Sequence, residues 1–261
     1  MRARKYLFPG VIELNYQAQR KLGVNVYLLD GGSEFALLDI GYEESVDEII
    51  DLIRDMDFSL ASCRMIIATH ADADHSQGLA RVRERLKAPV LAHPDCAPLL
   101  ERGDRIATFA AIEAQDIDLP MPPVKVDRLI QEGDSLVIGS HKLAVWHTPG
   151  HAVGQLAFRT GNLLFSGDNI YKDGCVGAID AHHGSDIEKF IVSLERIASD
   201  DARFLLPSHG PAFLKDPAML KTTIARLHTY LRMSDFGTCA KEWPLLDQWE
   251  RDVLSGRMPR F

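Results

Sequence analysis

Cysteine is scarce in this 261-residue sequence. Cys63, Cys96, Cys175 and Cys239 stand far apart and none forms a CxxC pair. That excludes a zinc ribbon and a thioredoxin-type redox motif, and it reads as free thiols in a reducing compartment. An excess of positive charge is also missing. Lys and Arg number 29 against 37 Asp and Glu, a formal net charge of −8, so no broad basic surface for nucleic acid or anionic lipid is expected. No apolar run is long enough to span a bilayer, and the N-terminal MRARKYLFPGVIELN lacks the apolar stretch of a signal peptide. The expectation is a cytoplasmic protein that acts on a small molecule, without a nucleic-acid or membrane partner. What is present, 46% hydrophobic and 25% charged residues, suffices for a sizeable α/β core.

Apolar periodicity divides the chain into two batches, each β-rich at its start and βα at its finish. In the first, Val24–Leu29 and Phe35–Asp39 flank Asp30-Gly31-Gly32 as a hairpin. A helix follows with Val46, Ile49, Ile50 and Ile53 on one face, opened by a capping box of Ser45 and Glu48. Met65–Ala68 reads as a buried strand, then a helix presents Leu79, Val82 and Leu86, and Pro89–Ala92 is a further strand. Residues 105–123 have weak periodicity and end in Pro120, Pro122 and Pro123, which predicts a surface excursion bordering a cleft. The second batch has strands at Ser135–Ile138, Lys142–Trp146, Gln155–Phe158, Asn162–Phe165 and Phe204–Leu206. Ser185 and Glu188 suggest a second capping box ahead of Ile187, Phe190, Ile191, Leu194 and Ile197. Asp216-Pro217 opens a last helix with Leu220, Ile224, Leu227 and Leu231. Residues 1–234 are expected to form one domain. Residues 235–261, with Trp243 and Trp249, form a tail that packs on the domain or on a partner subunit, which leaves a homodimer open.

Histidine and aspartate gather where predicted strands end. His70, Asp72, Asp74 and His75 fall within THADADHSQG, His151 in WHTPGH, Asp168 in FSGD and His209 in LPSHG. Strand-end loops are where a rigid scaffold meets solvent, and neutral imidazole and carboxylate are ligands for zinc, iron or manganese. An N-terminal helix cap would account for one aspartate of the first motif, not for four motifs in order.

The succession THxxxDHxxG, TPGH, SGD and SHG resembles the metallo-β-lactamase superfamily, from about the first hairpin to His209. The resemblance implies an αββα sandwich, two mixed sheets face to face with helices outside. It implies two divalent ions, zinc first, with iron or manganese as alternatives. His70, Asp72 and His151 would hold one ion, Asp74, His75 and His209 the other, with Asp168 between them; His147 lies outside the pattern. It further implies a hydrolase in which a metal-bridging hydroxide, oriented by Asp74, cleaves an ester, lactone, thioester or β-lactam. Phosphodiesters fit less well, because no Arg or Lys cluster sits beside the motifs. Tyr171, three residues after Asp168, is similar to the lactonase tyrosine that faces the substrate carbonyl, and is read as catalytic and substrate-binding. His182 and His183 are read as further substrate contacts. One position departs: the usual His-x-His-x-Asp-His is His-x-Asp-x-Asp-His here. The extra oxygen ligand favours iron or manganese more than a histidine would and keeps two alternatives open. One is an iron oxidoreductase resembling persulfide dioxygenases or flavodiiron proteins; the other is a non-catalytic metal-binding relative.

Overall fold

A computed structural model describes residues 3–14, 23–179, 184–231, 248 and 251–257. Along the chain come β1 (Val11–Glu13), β2 (Tyr27–Asp30), β3 (Phe35–Leu38), α1 (Val46–Asp55), β4 (Cys63–Ile67), α2 (Ala73–Ser76), α3 (Leu79–Leu86), β5 (Val90–Ala92) and α4 (Ala97–Arg102). The short β6 (Ala111–Ile112) and β7 (Ile117–Asp118) follow, then β8 (Arg128–Leu129), β9 (Ser135–Ile138), β10 (His141–His147), β11 (Leu156–Thr160) and β12 (Leu163–Gly167). The remainder is α5 (Ile187–Ser199), β13 (Phe204–Pro207), β14 (Phe213–Leu214) and α6 (Pro217–Leu231).

Among the described residues one sheet runs in the order β1-β2-β3-β4-β5-β8, the other β14-β13-β12-β11-β10-β9, and β6 pairs with β7 apart from both. Both large sheets are mixed: β3-β4-β5-β8 and β12-β13 are parallel, the remaining pairs antiparallel. Strands buried on both faces need apolar runs, and Tyr27–Leu29 of β2, Phe35–Leu38 of β3 and Met65–Ile67 of β4 supply them. Leu29, Leu38 and Ile67 meet Leu143, Val145, Phe158 and Phe165 of the second sheet. Their neighbours Leu28, Leu37 and Ile66 point the other way, onto Ile49, Ile50 and Ile53 of α1 and Val82 and Leu86 of α3. The outer face of the second sheet, Ala157, Leu164 and Leu205, is covered by Phe190, Ile191, Leu194 and Ile197 of α5 and by Leu220 and Leu227 of α6. Helix, sheet, sheet and helix thus form four layers around three apolar seams, as the resemblance implies.

Neither predicted capping box forms. Ser45 precedes α1 but caps it with no side-chain bond, because a 3₁₀ turn, Glu43–Ser45, already leads the chain into the helix. At α5 the cap is Asp186, whose side chain accepts from Lys189 N at 3.0 Å; Ser185 donates instead to the carbonyl of His151 at 2.6 Å. In α6 the apolar stripe holds at Leu220 and Leu227, but Leu231 is exposed. Cys63 and Cys96 are buried free thiols and Cys175 is an exposed one; Cys239 lies outside the described residues, as do Trp243, Trp249 and most of the 235–261 tail. Among the described residues no helix is long and apolar enough to cross a membrane.

Candidate metal centre

The strands that carry the four motifs all end at one edge of the sandwich. β4 runs out into His70, Asp72, Asp74 and His75; β10, β12 and β13 of the other sheet run out into His151, Asp168 and His209. Cross-sheet bonds fix this edge: Leu156 N donates to Thr69 O at 2.8 Å, Asn25 N to Ser208 O at 2.6 Å, and Tyr27 Oη to Pro207 O at 2.8 Å. Asp72 occupies the N-cap of α2 but makes no cap bond with its side chain; the carboxylate turns to the centre. A register shift between Phe165 and Gly167, with Gly167 at φ +55°, re-aims the chain so that Asp168 also faces it.

The seven side chains converge. Asp72 Oδ2 lies 3.4 Å from His70 Nε2 and 3.2 Å from His151 Nε2. Asp74 Oδ2 lies 3.5 Å from His75 Nε2 and 3.3 Å from His209 Nε2. Asp168 Oδ2 stands between the two groups, 3.7 Å from His151, 3.6 Å from His75 and 3.5 Å from His209, each to Nε2. Donor atoms each about 2.0–2.1 Å from a tetrahedral ion lie about 3.4 Å apart, so the spacing is that of ligand sets. Two buried atoms of the centre, His70 Nε2 and Asp168 Oδ1, have no hydrogen-bond partner among the described residues; buried polar atoms are rarely left so without an ion or water to meet.

Each ring is turned inward by a bond on its far nitrogen. His151 Nδ1 donates to Ala178 O at 2.7 Å, His209 Nδ1 to Gly23 O, and His75 Nδ1 to Asp39 Oδ2 at 3.0 Å. His70 Nδ1 meets Thr69 Oγ1 at 3.0 Å, while that hydroxyl donates its one proton to Asp39 Oδ2 at 2.8 Å. The hydroxyl must therefore accept from His70 Nδ1–H, which leaves Nε2 unprotonated and aimed at the centre. Asp39, buried and at φ +56°, also accepts from Thr69 N at 2.8 Å and so orients two rings. Gly177 fits against the same site: a Cβ there would lie 2.5 Å from Asp168 O and 2.9 Å from the His151 ring.

Electrostatics follow the geometry. Burial would push Asp168 up, but His75 and His209 hold it well below the usual carboxylate range; Asp74 is lowered by His75 and His209 against the same burial. Burial would lower His151, yet its hydrogen bond and charge interaction with Asp72 and the charge of Asp168 raise it to about 9. His209, half-buried, is lowered by that burial yet raised to about 10 by Asp168 and Asp74, and His75 is raised well above its ordinary value by Asp74, Asp168 and Asp39 against its burial. The raised imidazoles and the lowered carboxylates favour each other's charged forms, the part a cation would otherwise take. Burial and then Asp168 raise Tyr171, keeping the phenol a donor; its ring stands edge-on to His209 at 5.5 Å.

A metallo-β-lactamase superfamily profile matches residues 20–209, nearly three-quarters of the chain. The chain belongs to the metallo-β-lactamase superfamily. Among members of the superfamily, the acyl-coenzyme A thioesterase MBLAC2 of Gallus gallus is 33% identical over 166 residues, 57% of this chain and 57% of that protein. MBLAC2 of Bos taurus is 30% identical over 238 residues, 81% of this chain and 82% of that protein. A solved structure, TTHA1623 in a di-iron-bound form, superposes with a TM-score of 0.63 at 31% identity, covering 80% of this chain and 96% of that one.

Other sequence readings come out unevenly. His147 stays out of the centre: its Nε2 donates to Val153 O at 2.7 Å and its ring stacks on His93 at 4.3 Å and 13°. His93, Asp95 and His147 form a further group whose ligand-type atoms lie within 4.8 Å of one another, but His147 Nε2 is committed to Val153 O; beside them the Cys96 thiol donates to Gly154 O at 3.4 Å, in the loop of His151. His182 and His183 lie outside the described residues. The 105–123 excursion does border the cleft, through β6 and β7, a cavity of about 460 Å³ lined by the centre on one side and Phe109, Ile112, Ile117 and Leu119 on the other. Asp39 and these apolar residues escaped sequence reasoning. Asp39 had one signal, a carboxylate ending the apolar run Phe35–Leu38, where an unpaired charge would be costly.

Proposed function

We propose that this chain is a metal-dependent hydrolase of carboxylic thioesters and esters. His70, Asp72 and His151 would hold one divalent cation, Asp74, His75 and His209 a second, and Asp168 would lie between. The observation that carries this is the commitment of every ring's far nitrogen to an outer partner, which reserves four Nε2 atoms and three carboxylates for the centre. Four imidazoles and three carboxylates suit zinc, iron and manganese, and the Asp72 oxygen shifts the preference toward the latter two. Bound cations supply electrophilic polarisation of a carbonyl oxygen and a more acidic water.

The chain's own groups do the rest. Asp74 is the most accessible of the three central carboxylates, its side chain 17% exposed, and it orients the attacking water. Tyr171, protonated across the neutral range, donates toward the oxygen on which negative charge develops. The water oxygen forms a bond to the acyl carbon, the bond to the thiol or alcohol breaks, and that leaving group departs with a proton from the water. The thioesterase names of the MBLAC2 relatives support the thioester as first substrate.

The test is purification with zinc, manganese or iron, followed by assays on an acyl-coenzyme A, a lactone and a nitrophenyl ester. Turnover that a chelator abolishes and metal restores is expected; no metal-dependent turnover of any of them overturns the reading. A second reading, an iron oxidoreductase, has the di-iron form of TTHA1623 and the Asp72 oxygen in its favour. It requires oxygen uptake with glutathione persulfide or with a reduced flavoprotein by iron-loaded protein.

A further inference from the structure

The cleft has one wall that the hydrolytic chemistry does not use. Facing the carboxylates and imidazoles are Phe109, Ile112, Ile117 and Leu119, all from the segment that carries β6 and β7. Beyond them a second cavity of about 710 Å³ opens, and Tyr42, Ile117 and Leu119 line both. The wall is tied to the ligand loop itself: Ala73 N, between Asp72 and Asp74, donates to Thr108 O at 2.7 Å. Gln77, buried two residues after His75, donates to Pro120 O at 2.8 Å and accepts from Glu43 N at 2.8 Å. One side chain thus joins the hairpin side of the second cavity to the Tyr42 side. An apolar surface fixed in register with the reacting centre positions a substrate part that has no polar handle.

Charge narrows what that part is. No Lys or Arg lines the cleft among the described residues. Arg81, at the second cavity, is paired with Asp47 and lies 3.9 Å from Glu43. Glu43, Glu44, Asp116 and Asp118 also line the second cavity, so an acyl group ending in a carboxylate, or the phosphates of a carrier, would meet like charge there and find no cation along the wall of the first. We infer that the wall binds the acyl part of the substrate, and that this part is an uncharged aliphatic chain running past Tyr42 into the second cavity with its leaving group outward. The inference rests on the hydrolase reading and adds the substrate class and the residues that select it.

The test is a series of straight-chain acyl thioesters of N-acetylcysteamine, from acetyl to dodecanoyl, assayed with metal-loaded protein. Burial of each methylene predicts a rise in kcat/KM of about fourfold until the wall is covered. Ile117→Gln, in the wall, flattens that slope, lowering dodecanoyl turnover more than acetyl turnover. A separate measurement needs no turnover: calorimetric titration of the chelated protein with the dodecanoyl and acetyl amides, in which nitrogen replaces the thioester sulfur. Binding of the long amide alone, with a negative heat-capacity change, is expected, and Ile117→Gln weakens it at least fivefold. Turnover without chain-length dependence, or equal binding of the two amides, overturns the inference and leaves the hydrolase standing. Turnover of no thioester overturns the thioester part of the hydrolase reading, and the amide titration still decides the wall.

Discussion

Replacing Asp39 with Asn exchanges one oxygen for an NH₂ group and probes the centre from outside it. Asn tolerates the left-handed backbone at φ +56° about as well as Asp does, so the change is electronic. The carboxylate receives three donors, Thr69 N and Thr69 Oγ1 at 2.8 Å and His75 Nδ1 at 3.0 Å. If the amide oxygen stays opposite Thr69 N, the new NH₂ faces the hydroxyl and the His75 ring. The hydroxyl then turns its proton to His70 Nδ1, and both rings are driven to carry a proton on Nε2, the atom aimed at the centre. If the amide flips, its NH₂ opposes Thr69 N–H and one buried donor is orphaned, at about 1–3 kcal/mol. Either way metal affinity falls by about 10–100-fold, the usual effect of removing an outer partner of a ligand histidine, or about 1.4–2.7 kcal/mol. Competition with a chromogenic chelator measures the affinity, and urea unfolding of the chelated protein measures the stability cost separately. Metal affinity within threefold of the parent protein would refute the reasoning.

Metal loading at pH 7 should release about three protons per chain, one each from His75, His151 and His209, read with an indicator dye in weak buffer; release of none would contradict the assignment. Because these groups titrate higher folded than unfolded, their contribution to the stability of chelated protein is complete below about pH 6.5, and that of His151 and His209 is lost as pH rises through about 9 to 10. Thermal midpoints of chelated protein should therefore fall over that window while proton release declines. Tyr171→Phe should lower kcat by about 10²–10³-fold with metal content unchanged by elemental analysis; an unchanged kcat removes the phenol from the reaction. Gly177→Ala, whose Cβ would meet Asp168 O and the His151 ring, should weaken metal binding at least as much as Asp39→Asn does by the same competition, and parent-like affinity would show that the loop yields.

The layers were readable because burial on both faces leaves long apolar runs in the strands; α1 and α3 bury the residues that periodicity predicts, and α5 buries all of its stripe but Ile187, which is half-buried. The seven central residues were readable because their motifs are local: each follows directly on the end of a strand. What escaped was set by tertiary contact. Ser185 has the spacing of a helix cap but bonds to His151 O, which lies 34 residues away, and no local pattern weighs one partner against the other. Asp39 is one aspartate among many until the fold brings Thr69 and His75 to it. Phe109, Ile112, Ile117 and Leu119 lack a regular period because they face a cleft and not a flat core, so neither the helical nor the strand template detects them.

The strand edge that gathers the seven side chains has a mechanical meaning. Four of them hang from one sheet and three from the other, so an ion held there would rivet two halves of the molecule at a single rim. Stripping it with a chelator should loosen that rim first, with amide exchange quickening in the 69–78 and 148–154 loops while the opposite end of the sandwich stays closed.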